Sequence, residues 1–224
     1  MPLEFEPYGS MFVVFRKAVK SEKLKVKSAD GKNFSGLTPV QELAGPWQVQ
    51  FDPLWFYPTT GLSAQQAAGK ATFAKLEDWT QRPEEAIRNF SGTAVYRTEF
   101  IIQNSAVGKI SAELRPLATA TGPRLFLDLG TVKETARVRL NGKDLGVVWC
   151  HPWRVEITDA VKAGANSLEI DVVNLWPNRL IGDAALAAEQ RRTRTNIGSY
   201  KAGSPRLASG LIGPVSILAG ESEK

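Results

Sequence analysis

From residue 93 onward, apolar and polar side chains alternate with period two in one short run after another. Residues 93–102, 124–129, 135–140, 154–157 and 167–174 follow this pattern, 143–149 reads as a further strand, and 213–218 as a closing one. Successive side chains on a strand point to opposite faces, so each run predicts a half-buried strand. Leu125, Leu127 and Leu129 share one face of their run, as do Ala136, Val138 and Leu140, and Leu168, Ile170 and Val172. The Asn141-Gly142 pair separates two runs with the residues a tight hairpin demands. Upstream, Gly45-Pro46 restarts structure and Trp47, Val49 and Phe51 alternate. Residues 52–89 are rich in loop residues, with a strand at 71–73, and 82–90 predicts a helical turn with Pro83 in its first position. A one-turn helix is expected at 159–163, closed by Gly164, and a longer one at 180–190, inserted between the last two strands. Eight or so short, closely spaced strands predict an all-β antiparallel sandwich of the jelly-roll kind with one short inserted helix.

The first 36 residues differ. A compact apolar run at 11–15 reads as a lead-in strand, and 17–36 is rich in Lys, Ser, Asp, Gly and Asn, as in a connecting segment. The expected organisation is a lead-in strand and linker over 1–36 and a sandwich over 37–224.

Composition narrows the function classes. With 224 residues, 43% of them hydrophobic, the chain is long enough for a sizeable core without staples. No apolar run approaches the roughly 20 residues that span a bilayer, so no membrane partner is expected. The 28 basic residues exceed the 23 acidic ones, with clusters at Arg16 to Lys27 and at Arg191, Arg192 and Arg194. The early cluster has Ser, Val and Leu interleaved and lacks stacking aromatics until Phe34. It reads as a solvated strand or loop and not as a nucleic-acid surface. A single cysteine, Cys150, excludes an intrachain disulfide, and a single histidine, His151, excludes the common multi-histidine zinc patterns. The N-terminus has no basic region followed by a cleavage site, so no signal peptide is read in this chain.

The candidate chemistry lies in the loops between residues 140 and 183. Trp149, His151, Trp153, Arg154, Trp176, Asn178, Arg179 and Asp183 are the residue types that stack on sugar rings and hydrogen-bond their hydroxyls. Each has a plainer alternative. Trp149 and Trp153 could be core residues, and Arg179 and Asp183, at i and i+4 of a helix, could pair with each other. Candidate acids for glycoside hydrolysis are Asp128, Glu134, Glu156 and Asp183. Asp128 alternates on a strand while Glu134 and Glu156 flank turns, so no catalytic pair is expected. Cys150 and His151 are adjacent, which turns their side chains to opposite faces of an extended chain and away from a working dyad.

The segments GPW (45–47), LEDWT (76–80), FSGTAVYRTEF (90–100), LDLG (127–130), VRLNGKDLG (138–146), NLWPNRLIGD (174–183) and SGLIGPV (209–215) occur in an order that resembles the C-terminal part of glycoside hydrolase family 106 α-L-rhamnosidases. The hairpin and the segment that follows it are also similar to the sugar-binding domain of glycoside hydrolase family 2. The resemblance covers nearly the whole chain. It implies a galactose-binding-like β-sandwich that follows a separate catalytic barrel, and hence a chain that is a module or piece of a longer enzyme, without catalysis of its own. The family pattern has a tryptophan after the asparagine between Thr195 and Ser209, whereas here Asn196 is followed by Ile197. The implied function is a carbohydrate-binding or accessory module for a plant or microbial polysaccharide, rhamnose-containing by analogy. The alternative is a structural module that docks on the barrel and completes its active site. Either way the parent enzyme is expected to be secreted or periplasmic. No cofactor is expected; a structural calcium ion stays open because many such sandwiches carry one, although no acidic run here resembles a calcium loop.

Overall fold

A computed structural model describes residues 36–56, 69–102, 124–196 and 198–220. The expected lead-in strand at 11–15 and the linker lie outside the described residues, apart from Gly36.

Twelve strands run in chain order: β1 (Leu37–Glu42), β2 (Trp47–Phe51), β3 (Lys70–Phe73), β4 (Thr93–Ile101), β5 (Arg124–Asp128), β6 (Thr131–Lys133), β7 (Thr135–Leu140), β8 (Lys143–Val148), β9 (Arg154–Glu156), β10 (Ala165–Val173), β11 (Gly210–Gly213) and β12 (Ser216–Gly220). They form a six-stranded sheet in the order β3-β2-β4-β10-β7-β8, a four-stranded sheet β1-β12-β5-β9 and a short pair β11-β6. Neighbouring strands are antiparallel throughout these sheets. The architecture is a galactose-binding-like jelly-roll sandwich.

The period-two pattern sets which side chains meet. Tyr96 on β4, Ile170 on β10 and Val138 on β7 are register partners across three strands, and all are buried. Leu125 and Leu127 of β5 and Ile217 of β12 supply the opposite layer of the core. Aromatic rings fill one part of it: Phe51 meets Phe90 at 4.8 Å and Trp79 at 5.3 Å, both edge to face. The buried Tyr96 hydroxyl accepts hydrogen bonds from the Trp79 indole and the Leu211 amide, which tie β4 to β11. Burial pushes this phenol's pKa up, so it stays protonated.

The opposite face of the six-stranded sheet is polar. Arg97, Glu169 and Arg139 stand in register on β4, β10 and β7, and Glu169 pairs with both arginines while Arg139 also reaches Asp171. Burial alone would raise the Glu169 carboxyl, but hydrogen bonds from Arg139 and Arg97 hold it below the usual glutamate range. On the edge, Arg137 pairs with Asp144 of β8, and the β7-β8 register shifts between Arg137 and Arg139.

Helices depart from the pattern-based expectation. α1 (Glu85–Arg88) follows a 3-10 turn at Trp79–Gln81, and α2 (Pro177–Ala184) begins three residues before the expected helix, because Pro177 sits in its first turn with φ already suited to it. Residues 188–190 form only a 3-10 turn. The expected helix at 159–163 is a turn, in which Asn166 accepts from the Lys162 amide and donates to the Lys162 and Gly164 carbonyls.

Candidate functional site

Strand register brings the two candidate loops to one end of the sandwich. Val173 is opposite Thr93 and Thr135, Ala136 is opposite Val148, and Ala94 is opposite Phe51. The chain therefore leaves β8 toward residue 149, and β10 toward residue 174, at the same end of the sheet. With β7 between them, the departure points are about 10 Å apart.

In the first loop, Trp149 is 71% exposed while Trp153 is 6% exposed. The Trp153 indole N–H donates to His151 Nε2 at 3.1 Å, with the rings 5.4 Å apart. His151 and Cys150 are exposed. The loop is fastened behind by Arg154, whose Nε and Nη2 donate to Asp128 Oδ2 at 3.2 and 3.0 Å, and by the Leu129 amide, which donates to the Trp153 carbonyl. The other Asp128 oxygen accepts from the Gly130 amide.

The second loop is held mainly from within. Asn174 donates to the Phe90 carbonyl and Ser209 Oγ and accepts from the Gly92 amide. Asn178 donates to the Leu207 carbonyl at 2.7 Å and to Ser209 Oγ at 2.9 Å, and its Oδ1 accepts from the Leu207 amide. Arg179 and Asp183 pair at 2.7 Å, their side chains 6% and 3% exposed. The second Asp183 oxygen accepts from the amides of Arg192 and Thr193 and from the Thr193 hydroxyl. Trp176 remains half-exposed and meets Trp55 edge to face at 5.1 Å. The polar side chains of α2 thus hold the segments at 192–193 and 207–209, and its aromatic neighbour faces outward.

Several residues at this end escaped the sequence reading. Asn174 and Ser209 form the polar hub beneath α2, and Leu54 and Leu175 are exposed at the same end as Trp176. The alternating pattern stops where these loops start, so only the position of Leu175 beside Trp176 gave any signal. The carboxylates named as candidate acids have structural partners at three positions: Asp128 with Arg154, Glu156 with Arg124, and Asp183 with Arg179. Among the described residues, no group of three or more His, Cys, Asp or Glu side chains is placed to hold a metal ion. No helix among them is long and apolar enough to cross a membrane.

No family model matches the chain. It is 35% identical over 198 residues to a putative beta-glucuronidase of Formosa agariphila, covering 78% of this chain and 15% of that protein. The solved structure of a rhamnosidase from Novosphingobium sp. PP1Y superposes with a TM-score of 0.69 at 33% identity, over 92% of this chain and 17% of the other. The chain is a β-sandwich domain resembling part of much larger glycoside hydrolases. A beta-glucuronidase of Ruminococcus gnavus shares the fold, with a TM-score of 0.50 at 20% identity over 84% of this chain and 30% of that one. The chain spans less than a fifth of the length of the first two relatives.

Proposed function

We propose that this chain is a non-catalytic carbohydrate-binding module of a glycoside hydrolase, with Trp149 as its sugar platform and His151 beside it. The observation that carries this reading is the contrast within one loop: Trp153 is packed and fastened, while Trp149 presents its indole to solvent four residues away. An exposed aromatic face on a braced loop suits the apolar face of a sugar ring. Trp153, Arg154, Asn178, Arg179 and Asp183 act in this reading as the supports that keep the end in shape, and Trp176 widens the surface. The similarity to a rhamnosidase supports a rhamnose-containing plant or microbial polysaccharide as the ligand, and a secreted or periplasmic parent enzyme. The sandwich would occupy residues 37–224, with 1–36 as the connection.

Titration of the chain against a panel of pectic and hemicellulosic oligosaccharides tests the proposal. Binding to at least one of them is expected, weakened about tenfold or more by Trp149→Ala, because one lost stacking platform is worth roughly 1–2 kcal/mol. A full panel without binding sinks this reading.

A second reading is favoured by a different observation. Leu54, Val173, Leu175 and Trp176 are all exposed and lie at the same end of the sandwich, and the chain matches only a small part of longer relatives. This surface would dock on the catalytic domain of the parent enzyme and complete its active site. Mixing the chain with the separately produced remainder of such an enzyme is then expected to restore turnover of an aryl rhamnoside, and Leu175→Asp to prevent it. Unchanged activity on mixing would count against docking.

A further inference from the structure

A cleft of about 600 Å³ opens between α2 and the segment that follows it, lined by Asp183, Glu189, Arg191, Thr193, Arg194 and Tyr200 among others. Its size suits one or two sugar rings. Asp183 would make such a cleft acidic, but its charge is matched by Arg179 and its second oxygen holds the Arg192 and Thr193 amides. The carboxylate is therefore neutralised toward the cleft, and it fixes the wall that carries Arg191, Thr193 and Arg194. Arg191 is steadied by its own Nε, which donates to the Leu186 carbonyl, and Arg194 is exposed with no ion pair among the described residues. Glu189 is the one further acidic side chain on the lining, against these two guanidiniums. The balance is positive, and hydroxyls from threonine and tyrosine stand beside it.

We propose that this cleft binds an anionic glycan, with Arg191 and Arg194 receiving a carboxylate or sulfate group and the neighbouring hydroxyls meeting the ring. Planar guanidinium groups match either oxyanion in a two-point fashion that a lysine cannot reproduce. Tyr200 is the one aromatic ring on the lining, which favours a sugar over a single-stranded nucleic acid, whose successive bases need several stacking platforms. The site uses neither Trp149 nor Trp153, so it and the platform proposed above can fail independently.

The test is calorimetric titration of the 224-residue chain with four probes: a tetragalacturonate, a sulfated galactan tetramer, cellotetraose and a short oligothymidine. One or both anionic sugars are expected to bind, the tighter one identifying carboxylate or sulfate as the recognised group, and binding should weaken as salt is raised. Arg194→Gln should lower that affinity about tenfold or more, the loss of one charge-assisted contact. Arg194→Glu should abolish it. Arg194 is exposed, so thermal unfolding of both arginine variants should match the parent chain. Equal binding of cellotetraose, tighter binding of oligothymidine, full affinity in Arg194→Glu, or no binding of either anionic sugar would overturn the proposal.

Discussion

Replacing Asp183 with alanine is expected to destabilise the chain by about 3–5 kcal/mol, the range for breaking one partner out of a buried ion pair. The substitution leaves the Arg179 guanidinium, 6% exposed, without its nearest anion, and it removes the acceptor for three donors at residues 192 and 193. Domain stabilities are typically about 5–15 kcal/mol, so the loss is a large share of the whole. Urea unfolding followed by tryptophan fluorescence measures it. The double variant Arg179→Met/Asp183→Leu should recover part of the loss, since it leaves no uncompensated charge. Amide exchange adds a local reading: the amides of Arg192 and Thr193 should exchange faster in Asp183→Ala, because both lose their acceptor. A shift below about 1 kcal/mol would show that the pair is solvated and belongs with ordinary surface pairs.

Gly130→Ala is expected to cost at least as much, for a reason unrelated to charge. Gly130 lies at φ +65°, and a Cβ there would stand 2.4 Å from the Gly213 carbonyl carbon and 2.5 Å from the Gly213 and Pro214 oxygens. Every one of those atoms is backbone, so no side chain can rotate away. The β6-β11 pair would have to separate, and with it the bridge that joins Gly130 to Gly213. A loss above about 4 kcal/mol is expected, in the range reserved for clashes of this kind, and much of the variant should be unfolded or insoluble on expression. Gly142→Ala is the control. It has a similar φ of +81° but open space where the Cβ would go, so only the left-handed backbone preference is lost, about 1–2 kcal/mol. If the two variants lose equal stability, the close approach at Gly130 does not exist in solution.

The strands with one buried face, such as β5, β7 and β10, were legible, whereas β1, which buries no side chain, and the three-residue β6 were not, and the closing strand read at 213–218 is split into β11 and β12. β7 occupies the residues its alternation predicts, and β4 and β10 differ by one or two residues at their ends, where the pattern fades into loops. The start of α2 was not legible because the apolar spacing begins at Leu180, whereas Pro177 opens the helix through its fixed φ and adds nothing to the periodic pattern. At the candidate site, the spacing of Arg179 and Asp183 was enough to name their pairing as an alternative. It could not show that Thr193, ten residues on, returns to the same carboxylate, since nothing local specifies such a contact. Trp149 and Trp153 were equivalent in sequence, each flanking a proline-containing turn. What separates them is the Arg154–Asp128 pair and the hydrogen bond from Leu129, both of which cross between strands distant in sequence and hold Trp153 inward.

The irregular pairing at β8 has a consequence for handling the molecule. A straight outer strand offers a row of unpaired amides and carbonyls that another chain can extend. Here that strand is offset against β7 near Arg137 and carries Lys143 and Asp144, the latter held by Arg137. An offset, charged border gives a second copy little to zip onto. Separated from any larger parent, the sandwich should not extend through this edge at the concentrations that weak-affinity titrations require.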